Sequence, residues 1–159
     1  MEGFEVRRFC DSDADEVAAM IAYTMRTVSI KDYSHEYIEN CLQAFGADNL
    51  ISRAKAMNFY VVTDQNCGQI VGCGAVAPYG DGTDECCYYN IFVLPQFQGR
   101  GVGRLIVKTL ERDELCLRSK RIEVPSSITA CEFYKRLGYS HKGEVVLDEN
   151  LLYKMEKYR

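Results

Sequence analysis

Val93-Leu94-Pro95-Gln96-Phe97-Gln98-Gly99-Arg100-Gly101-Val102-Gly103 is the stretch that decides how this chain folds. A β-rich run ends at the proline, three glycines follow within five residues, and a pattern of helical spacing begins after them. Glycines allow backbone conformations that other residues avoid, and they let a ligand come close. The first amides of a helix lack partners and carry about half a positive charge from the helix dipole. Residues 98–103, which we call the glycine turn, are therefore predicted to bind an anion such as a phosphate.

Two common phosphate-binding motifs do not fit the glycine turn. A dinucleotide-binding G-x-G-x-x-G would need a third glycine where Arg104 stands, and a P-loop would need Gly-Lys followed by Ser or Thr. A flavin or nicotinamide protein is also disfavoured, because an early helix pair here precedes a β-hairpin. Taken alone, the turn is also consistent with a tight strand-to-helix connection that binds nothing, which is the less favoured alternative.

The remaining pattern predicts one α/β domain over residues 1–159, with a mixed sheet covered by helices. Strands are predicted at Phe4–Phe9, Phe59–Val62, Ile70–Val76, Cys86–Leu94, Arg121–Val124, Tyr139–Val146 and Leu151–Met155. Helices are predicted after the N-cap residues Asp11-Ser12-Asp13, at Ser34–Phe45, after the glycine turn and at Ser126–Leu137, with a short helical piece at Leu50–Met57. A turn is predicted at Pro78–Asp84.

Composition limits the function classes. The formal charge of −4 and the isoelectric point near 5.3 argue against nucleic acid or an anionic membrane as a partner and suit an amine-bearing acceptor. Eight cysteines contain no Cys-x-x-Cys pair, and two histidines accompany them, so no metal site is predicted. No apolar run has transmembrane length, and Met1–Glu5 lacks the apolar core of a signal peptide. We therefore expect a cytoplasmic protein whose cysteines are reduced and mostly packed in the core.

Two motifs carry a family resemblance. Ile91–Leu105 closely resembles the coenzyme A signature of the GNAT superfamily of N-acetyltransferases, whose core is Gln/Arg-x-x-Gly-x-Gly/Ala. Ala130–Tyr139 resembles the family's Ala-x-x-Phe-Tyr-x-x-x-Gly-Phe/Tyr helix. The first strand with Asp13 and the Ile70-Val71-Gly72 strand also fit, so the resemblance spans nearly the whole chain. It implies a mixed, mostly antiparallel central sheet of about seven strands flanked by about four helices.

The resemblance implies acetyl-CoA as cosubstrate and the residues that would bind it. The backbone of the glycine turn would hold the pyrophosphate, and the backbone of Val93 would bind the pantetheine arm and polarise the thioester carbonyl. Arg100, Arg104 and Lys108 would pair with phosphate or remain solvated helix charges. Ser127 would bond the pantetheine or cap a helix. The full set of implied binding residues is Phe92, Val93, Gln98, Gly99, Arg100, Gly101, Val102, Gly103, Arg104, Ser127 and Tyr134.

Candidate catalytic residues come from the same resemblance. Tyr134 matches the tyrosine that relatives use as general acid toward the departing thiolate, and its alternative role is that of a core aromatic residue. Some relatives place a glutamate at the position of Cys87, and Glu85 shares its strand face. Glu85 is therefore the candidate base, with a surface charge at a strand end as the alternative. Cys87 is a less favoured nucleophile, because strand cysteines are usually inert packing.

The predicted function is transfer of an acetyl group from acetyl-CoA to a primary amine by direct attack through a tetrahedral intermediate. The acceptor is an amine-bearing small molecule or a protein amine, in a pocket expected at Met25–Tyr37, Tyr79, Tyr88 and Asn90. The oligomeric state stays open between a monomer and a homodimer. The alternative function is a non-catalytic acyl-CoA sensor, which the missing glutamate at position 87 favours and Tyr134 disfavours.

Overall fold

A computed structural model of the chain describes residues 3–82 and 84–159. Met1, Glu2 and Thr83 lie outside the described residues, so the predicted turn at Pro78–Asp84 and the segment Met1–Glu5 are described only in part. The strands are β1 Phe4–Arg8, β2 Asn58–Asp64, β3 Ile70–Pro78, β4 Glu85–Val93, β5 Arg121–Ser126, β6 Ser140–His141 and β7 Tyr153–Tyr158. The α-helices are α1 Ala14–Thr27, α2 His35–Leu42, α3 Ala47–Ala54, α4 Val102–Glu111, α5 Glu114–Leu117 and α6 Cys131–Arg136.

The seven described strands form one sheet in the order β1-β2-β3-β4-β5-β7-β6. Every neighbouring pair is antiparallel except β4 and β5, which run parallel. The predicted mixed, mostly antiparallel sheet of seven strands is therefore confirmed, and the short helices α3 and α5 raise the helix count above the expected four.

The core follows the predicted apolar pattern on both sides of the sheet. Helix α1 buries Val17, Ile21 and Met25, and helix α4 buries Ile106 and Leu110. All eight cysteines are unpaired. Five are buried, whereas Cys10 and Cys67 are exposed and Cys41 is partly buried, so the expectation of core packing is correct for five.

The start of α1 differs from the prediction. The Asp13 carboxylate caps no amide of α1. It instead accepts hydrogen bonds of 2.7 Å and 2.8 Å from the Arg7 guanidinium on β1 and one of 2.9 Å from the Cys10 amide. Two charge-assisted bonds to one guanidinium are stronger than one bond to a helix amide, which explains the preference. Asp13 thereby fixes the first helix to the first strand.

Three predicted boundaries near the C-terminus are wrong. The strand expected at Tyr139–Val146 ends at His141, because Gly143 turns the chain with φ of 70°. The last strand begins at Tyr153 rather than Leu151, because Leu151 has a left-handed φ of 55°. The helix expected from Ser126 starts at Cys131, because Ser126 still pairs with β7.

Candidate active site

Strands β4 and β5 pair over only three residues and then separate. Their register joins Glu85 to Arg121, Cys86 to Ile122 and Cys87 to Glu123, and β4 continues to Val93 without this partner. A bulge lies in the unpaired part, where the partners of β3 shift between Cys73 and Ala75 and Asn90 has φ of 54°. A bulge bends its strand and redirects the residues after it. The separation leaves a gap in the middle of the sheet.

The Val93 amide faces this gap. The Leu94 amide donates to Val71 O on β3 at 2.9 Å. Successive amides of a strand point to opposite sides, so the Val93 amide points away from β3, toward the side where β5 has separated. On that side the Gln98 side chain donates to Val93 O at 3.0 Å and ties the glycine turn to the strand end.

The glycine turn presents a run of unpaired amides. Among the described residues, the amides of Gly99 to Arg104 donate no hydrogen bond, and the next amide, Leu105 N, donates to Gly101 O at 2.9 Å. Gly101 precedes α4 with φ of 89°, a conformation that side chains disfavour. Gln98 departs from the prediction, because its amide donates to Pro95 O at 3.2 Å. The free amides are thus shifted one residue along the chain, to Gly99–Arg104.

These amides border a cavity of about 460 Å³ between α4 and α6, which we call the donor cavity. Gly103 lets the two helices approach, since an added Cβ would lie 3.1 Å from Cζ of Phe133. Seven of the eleven predicted cofactor residues line the donor cavity: Val93, Gln98, Gly99, Gly101, Gly103, Arg104 and Tyr134. Phe92, Arg100, Val102 and Ser127 do not line it.

The basic residues near the turn have different surroundings. The Arg100 guanidinium lies 4.8 Å from the Phe97 ring centre and 5.4 Å from that of Phe4, so Arg100 is stacked on aromatic rings. Arg104 lines the donor cavity. Lys108 lies one turn farther, beside a third cavity that Arg104 also borders. Of the three predicted cations, Arg104 is therefore the one placed for a phosphate in the donor cavity, which Arg136 of α6 also lines.

A second cavity of about 450 Å³, the acceptor cavity, lies on the other side of the gap. Its lining includes the predicted acceptor residues Tyr79, Tyr88 and Asn90, and from the predicted range Met25–Tyr37 it includes Met25, Ser29, Tyr33 and Tyr37. Phe92 and Ser127 also line it. Ser127 additionally accepts from the Ala130 amide at 3.2 Å, so it combines the capping contact with a position at the cavity.

Tyr134 separates the two cavities. It lies on α6, is 5% exposed and lines both of them. Among the described residues its hydroxyl has no hydrogen-bond partner. The one fully enclosed side-chain oxygen without a partner in that part of the chain is Thr24 Oγ1, so the Tyr134 hydroxyl is not fully enclosed. The Tyr134 hydroxyl is therefore open to cavity space. Burial raises its pKa, so the phenol is protonated at neutral pH and can donate a proton.

Glu85 lies at the paired end of β4, before the gap opens. Its carboxylate forms an ion pair with Arg121, its side chain is 39% exposed, and the hydrogen bond from Arg121 lowers its pKa. Glu85 is not among the residues that line the acceptor cavity. The structure thus separates this predicted base from the space where an amine would bind.

Glu123 is the carboxylate that the sequence reasoning missed. It lies on β5 opposite Cys87, is 3% exposed and lines the acceptor cavity. Arg121 donates to it at 2.8 Å and Lys142 at 2.9 Å. Burial opposes ionisation, but hydrogen bonds from Lys142, Arg121 and Tyr79 lower its pKa overall. The signal in the sequence was a lone charge inside the apolar run Ile122-Glu123-Val124.

Cys87 has the properties of inert packing. It is completely buried, and burial raises the pKa of its thiol to about 12, so little thiolate forms at neutral pH. In the described part of the chain, no group of three or more His, Cys, Asp or Glu side chains could hold a metal ion. No helix in that part is both long and apolar enough to cross a membrane.

Comparison with known proteins agrees with this geometry. The sequence profile of the acetyltransferase (GNAT) domain matches residues 55–141. No curated protein sequence matches the chain. Many solved structures share its fold.

Three of those structures cover nearly the whole chain. The PaiA N-acetyltransferase of Thermoplasma acidophilum, solved with coenzyme A, is 13% identical, with a TM-score of 0.82 and coverage of 98% of this chain and 99% of its own. A GCN5-related N-acetyltransferase of Rhodopseudomonas palustris is 24% identical, with a TM-score of 0.80 and coverage of 100% and 98%. A spermidine N-acetyltransferase chimera from Vibrio cholerae and hSSAT is 14% identical, with a TM-score of 0.66 and coverage of 99% and 96%. At these identities the likeness establishes the fold alone.

Proposed function

Because this chain belongs to the GNAT acetyltransferase family, we propose that it transfers the acetyl group of acetyl-CoA to the nitrogen of a primary amine. One observation carries the proposal: the unpartnered hydroxyl of Tyr134 stands on the wall shared by the donor and acceptor cavities. A proton donor at that boundary serves a reaction in which a group passes from one cavity to the other.

The donor cavity suits the cosubstrate, which supplies a thioester and is consumed in each turnover. The free amides of Gly99–Arg104 and the N-terminus of α4 bind its pyrophosphate, with Arg104 adding a cation. The Val93 amide, which faces the gap, donates to the thioester carbonyl and stabilises negative charge on that oxygen during attack. Arg100 supports the turn by stacking on Phe97 and Phe4.

The acceptor enters from the other cavity as an ammonium ion. Glu123 attracts that cation, and its position on the buried wall strengthens the attraction. A carboxylate with a lowered pKa binds the ammonium well but is a weak final proton acceptor, so the proton leaves to solvent water. Glu85 remains the alternative base, and a bridging water would carry the proton to it because its carboxylate is paired with Arg121 and lies outside the acceptor cavity.

The neutral amine attacks the carbonyl carbon through a tetrahedral intermediate. A carbon–nitrogen bond forms, the carbon–sulfur bond breaks, and the sulfur takes the electron pair. Tyr134 donates its proton to the thiolate, and the second proton, which the nitrogen loses as the amide forms, restores the phenol through solvent. The products are an acetamide and free coenzyme A.

A thiol-release assay over a panel of primary amines tests this function. We expect acetyl-CoA-dependent, amine-dependent thiol release, and we expect Tyr134→Phe to lower kcat by about 10²-fold or more without changing acetyl-CoA affinity. Tyr139→Phe is the matched control, since Tyr139 is buried, contacts the Tyr134 ring and lines neither cavity.

The alternative function is an acyl-CoA sensor without chemistry, which Cys87 favours because some relatives have a glutamate at its position. Saturable acetyl-CoA binding with no amine-dependent turnover, and equal slow hydrolysis by wild type and Tyr134→Phe, would support the sensor and exclude the transferase.

A further inference from the structure

Arg53 is a partly buried cation at the acceptor cavity, and it has no counterion in the described part of the chain. It lies in the last turn of α3, is partly buried and lines the cavity. Its guanidinium lies 5.5 Å from the Phe45 ring centre, and Phe45 packs edge-on against Phe92 of β4. Among residues 3–82 and 84–159, no carboxylate lies within 4.0 Å of the Arg53 guanidinium, the limit for an ion pair. No acceptor in these residues forms a hydrogen bond with it.

The other charged side chains that line this cavity are bonded within the protein or exposed to water. Glu123 is bonded by Arg121 and Lys142, and the Asp148 carboxylate accepts from the amides of Asn150 and Leu152. Lys154 also lines the cavity but is exposed to water, which solvates its ammonium group. Of the described charged residues that line this cavity, Arg53 is the one that is desolvated and has no partner, and desolvation lowers its pKa.

A partly desolvated guanidinium without a partner favours an incoming anion. Removing a cation from water costs free energy. A carboxylate offsets that cost by accepting two parallel N–H···O bonds from the guanidinium. The cation–π contact with Phe45 restricts the side chain before the anion arrives. Arginine suits planar carboxylates better than lysine does for this geometric reason.

The cavity therefore offers two opposite charges to one small molecule. Glu123 on β5 and Arg53 on α3 line the same cavity, and tyrosine and phenylalanine side chains make up much of the remaining lining. A volume of about 450 Å³ is within the range of small-molecule sites. A diamine would leave Arg53 facing a cation, which is unfavourable.

We propose that the acceptor is a free amino acid or a close analogue, whose carboxylate binds Arg53 while its amine is acetylated. This inference rests on the transferase function proposed above and narrows its acceptor class. Arg53 acts as a specificity residue and takes no part in the chemistry.

Matched acceptor pairs test the inference. Phenylalanine with phenethylamine, tyrosine with tyramine, and lysine with cadaverine differ by the carboxylate, and amino acid methyl esters keep the size while removing the charge. In the pair that contains the best substrate, we expect the wild-type kcat/KM for the amino acid to be at least about tenfold higher than for its decarboxylated amine or its methyl ester.

The Arg53→Met variant should abolish that preference. Its kcat/KM for amino acids should fall about tenfold or more, mainly through KM, while the values for decarboxylated amines stay within about twofold. Arg53→Lys should recover part of the preference. Arg112→Met is the matched control, since Arg112 is exposed at the end of α4 and lines none of the three cavities. Unchanged acetyl-CoA binding and melting temperature show that Arg53→Met is folded.

The outcomes separate the two proposals. Acetylation of decarboxylated amines as fast as of amino acids, or a preference that survives Arg53→Met, overturns the inference and leaves the transferase standing. Absence of turnover with every amine overturns both. An acid preference that is lost in Arg53→Met and kept in Arg112→Met supports both.

Discussion

Two glutamates on neighbouring strands share one arginine yet differ in what they can do. Arg121 lies between Glu85 and Glu123 and also contacts Glu156 at 3.0 Å. The Glu85 side chain is 39% exposed, whereas that of Glu123 is 4% exposed and borders the acceptor cavity. Water screens a charge at the first position far more than at the second, so the proposed ammonium acceptor should interact chiefly with Glu123.

Replacing each glutamate separately distinguishes these roles. Glu123→Gln keeps the shape and removes the charge, so we expect the KM for the amine to rise at least about tenfold. Glu85→Gln should change KM by less than about threefold, because its charge is screened. Steady-state kinetics on both variants, with acetyl-CoA affinity measured by calorimetry, make the comparison.

A larger loss in Glu85→Gln than in Glu123→Gln would make Glu85 the functional carboxylate. Because Glu123→Gln leaves Arg121 and Lys142 with one anion fewer, its melting temperature is measured first. The kinetic comparison then uses a temperature at which both variants are folded.

At the scale of elements, the turn between β4 and α4 could be predicted because its cause is local. Glycine freedom and unpaired helix amides act within six residues, and the predicted strand, turn and helix are all present. The β2–β3 hairpin is correct for the same reason. Short-range chemistry therefore fixed this half of the candidate site.

Other features depend on contacts between distant residues, which periodicity does not contain. Glu123 is positioned by a hydrogen bond from Lys142, nineteen residues away, and by the parallel pairing of β4 and β5 that places it opposite Cys87. Asp13 was expected to cap a helix but binds Arg7 on another element. The sequence also cannot predict that Arg53 lacks a partner among the described residues, because that depends on how far the folded chain places each carboxylate from it.

The glycine turn itself can be tested by one substitution. Gly101→Val forces a β-branched side chain into a φ of 89° at the start of α4, so the amides of the turn should be displaced. We expect acetyl-CoA affinity to fall by about tenfold or more, measured by calorimetry. Gly68→Val is the matched control, because Gly68 has a similar φ of 74° and open space around it in the β2–β3 turn. Equal affinity losses in the two variants would show general destabilisation and refute the assignment.

At the scale of the whole molecule, helix α1 connects the edge of the sheet to both cavities. Its first residues follow Asp13, which holds Arg7 of the edge strand β1. Its far end places Met25 in the wall of the acceptor cavity, and Val28, just beyond it, borders the donor cavity. A contact at one end of this helix therefore supports an element that the site needs at the other.

The Arg7–Asp13 ion pair should give the folded protein a defined dependence on pH. The hydrogen bond from Arg7 lowers the pKa of Asp13 from 3.8 to about 2, so the folded state binds this proton less readily than the unfolded state does. The stabilisation is therefore complete above about pH 4 and is lost as the pH falls toward 2. We expect Asp13→Asn to lower the free energy of unfolding by about 1–3 kcal/mol at pH 7, and by progressively less below pH 4. Urea unfolding of both proteins at pH 7, 4 and 3 measures this difference.

Asp15→Asn is the control, since Asp15 is exposed in the first turn of α1 and its replacement should change stability by less than about 0.5 kcal/mol. A deficit in Asp13→Asn that is equally large at pH 3 and at pH 7 would contradict the ionic origin of the contact, because a packing defect does not depend on protonation.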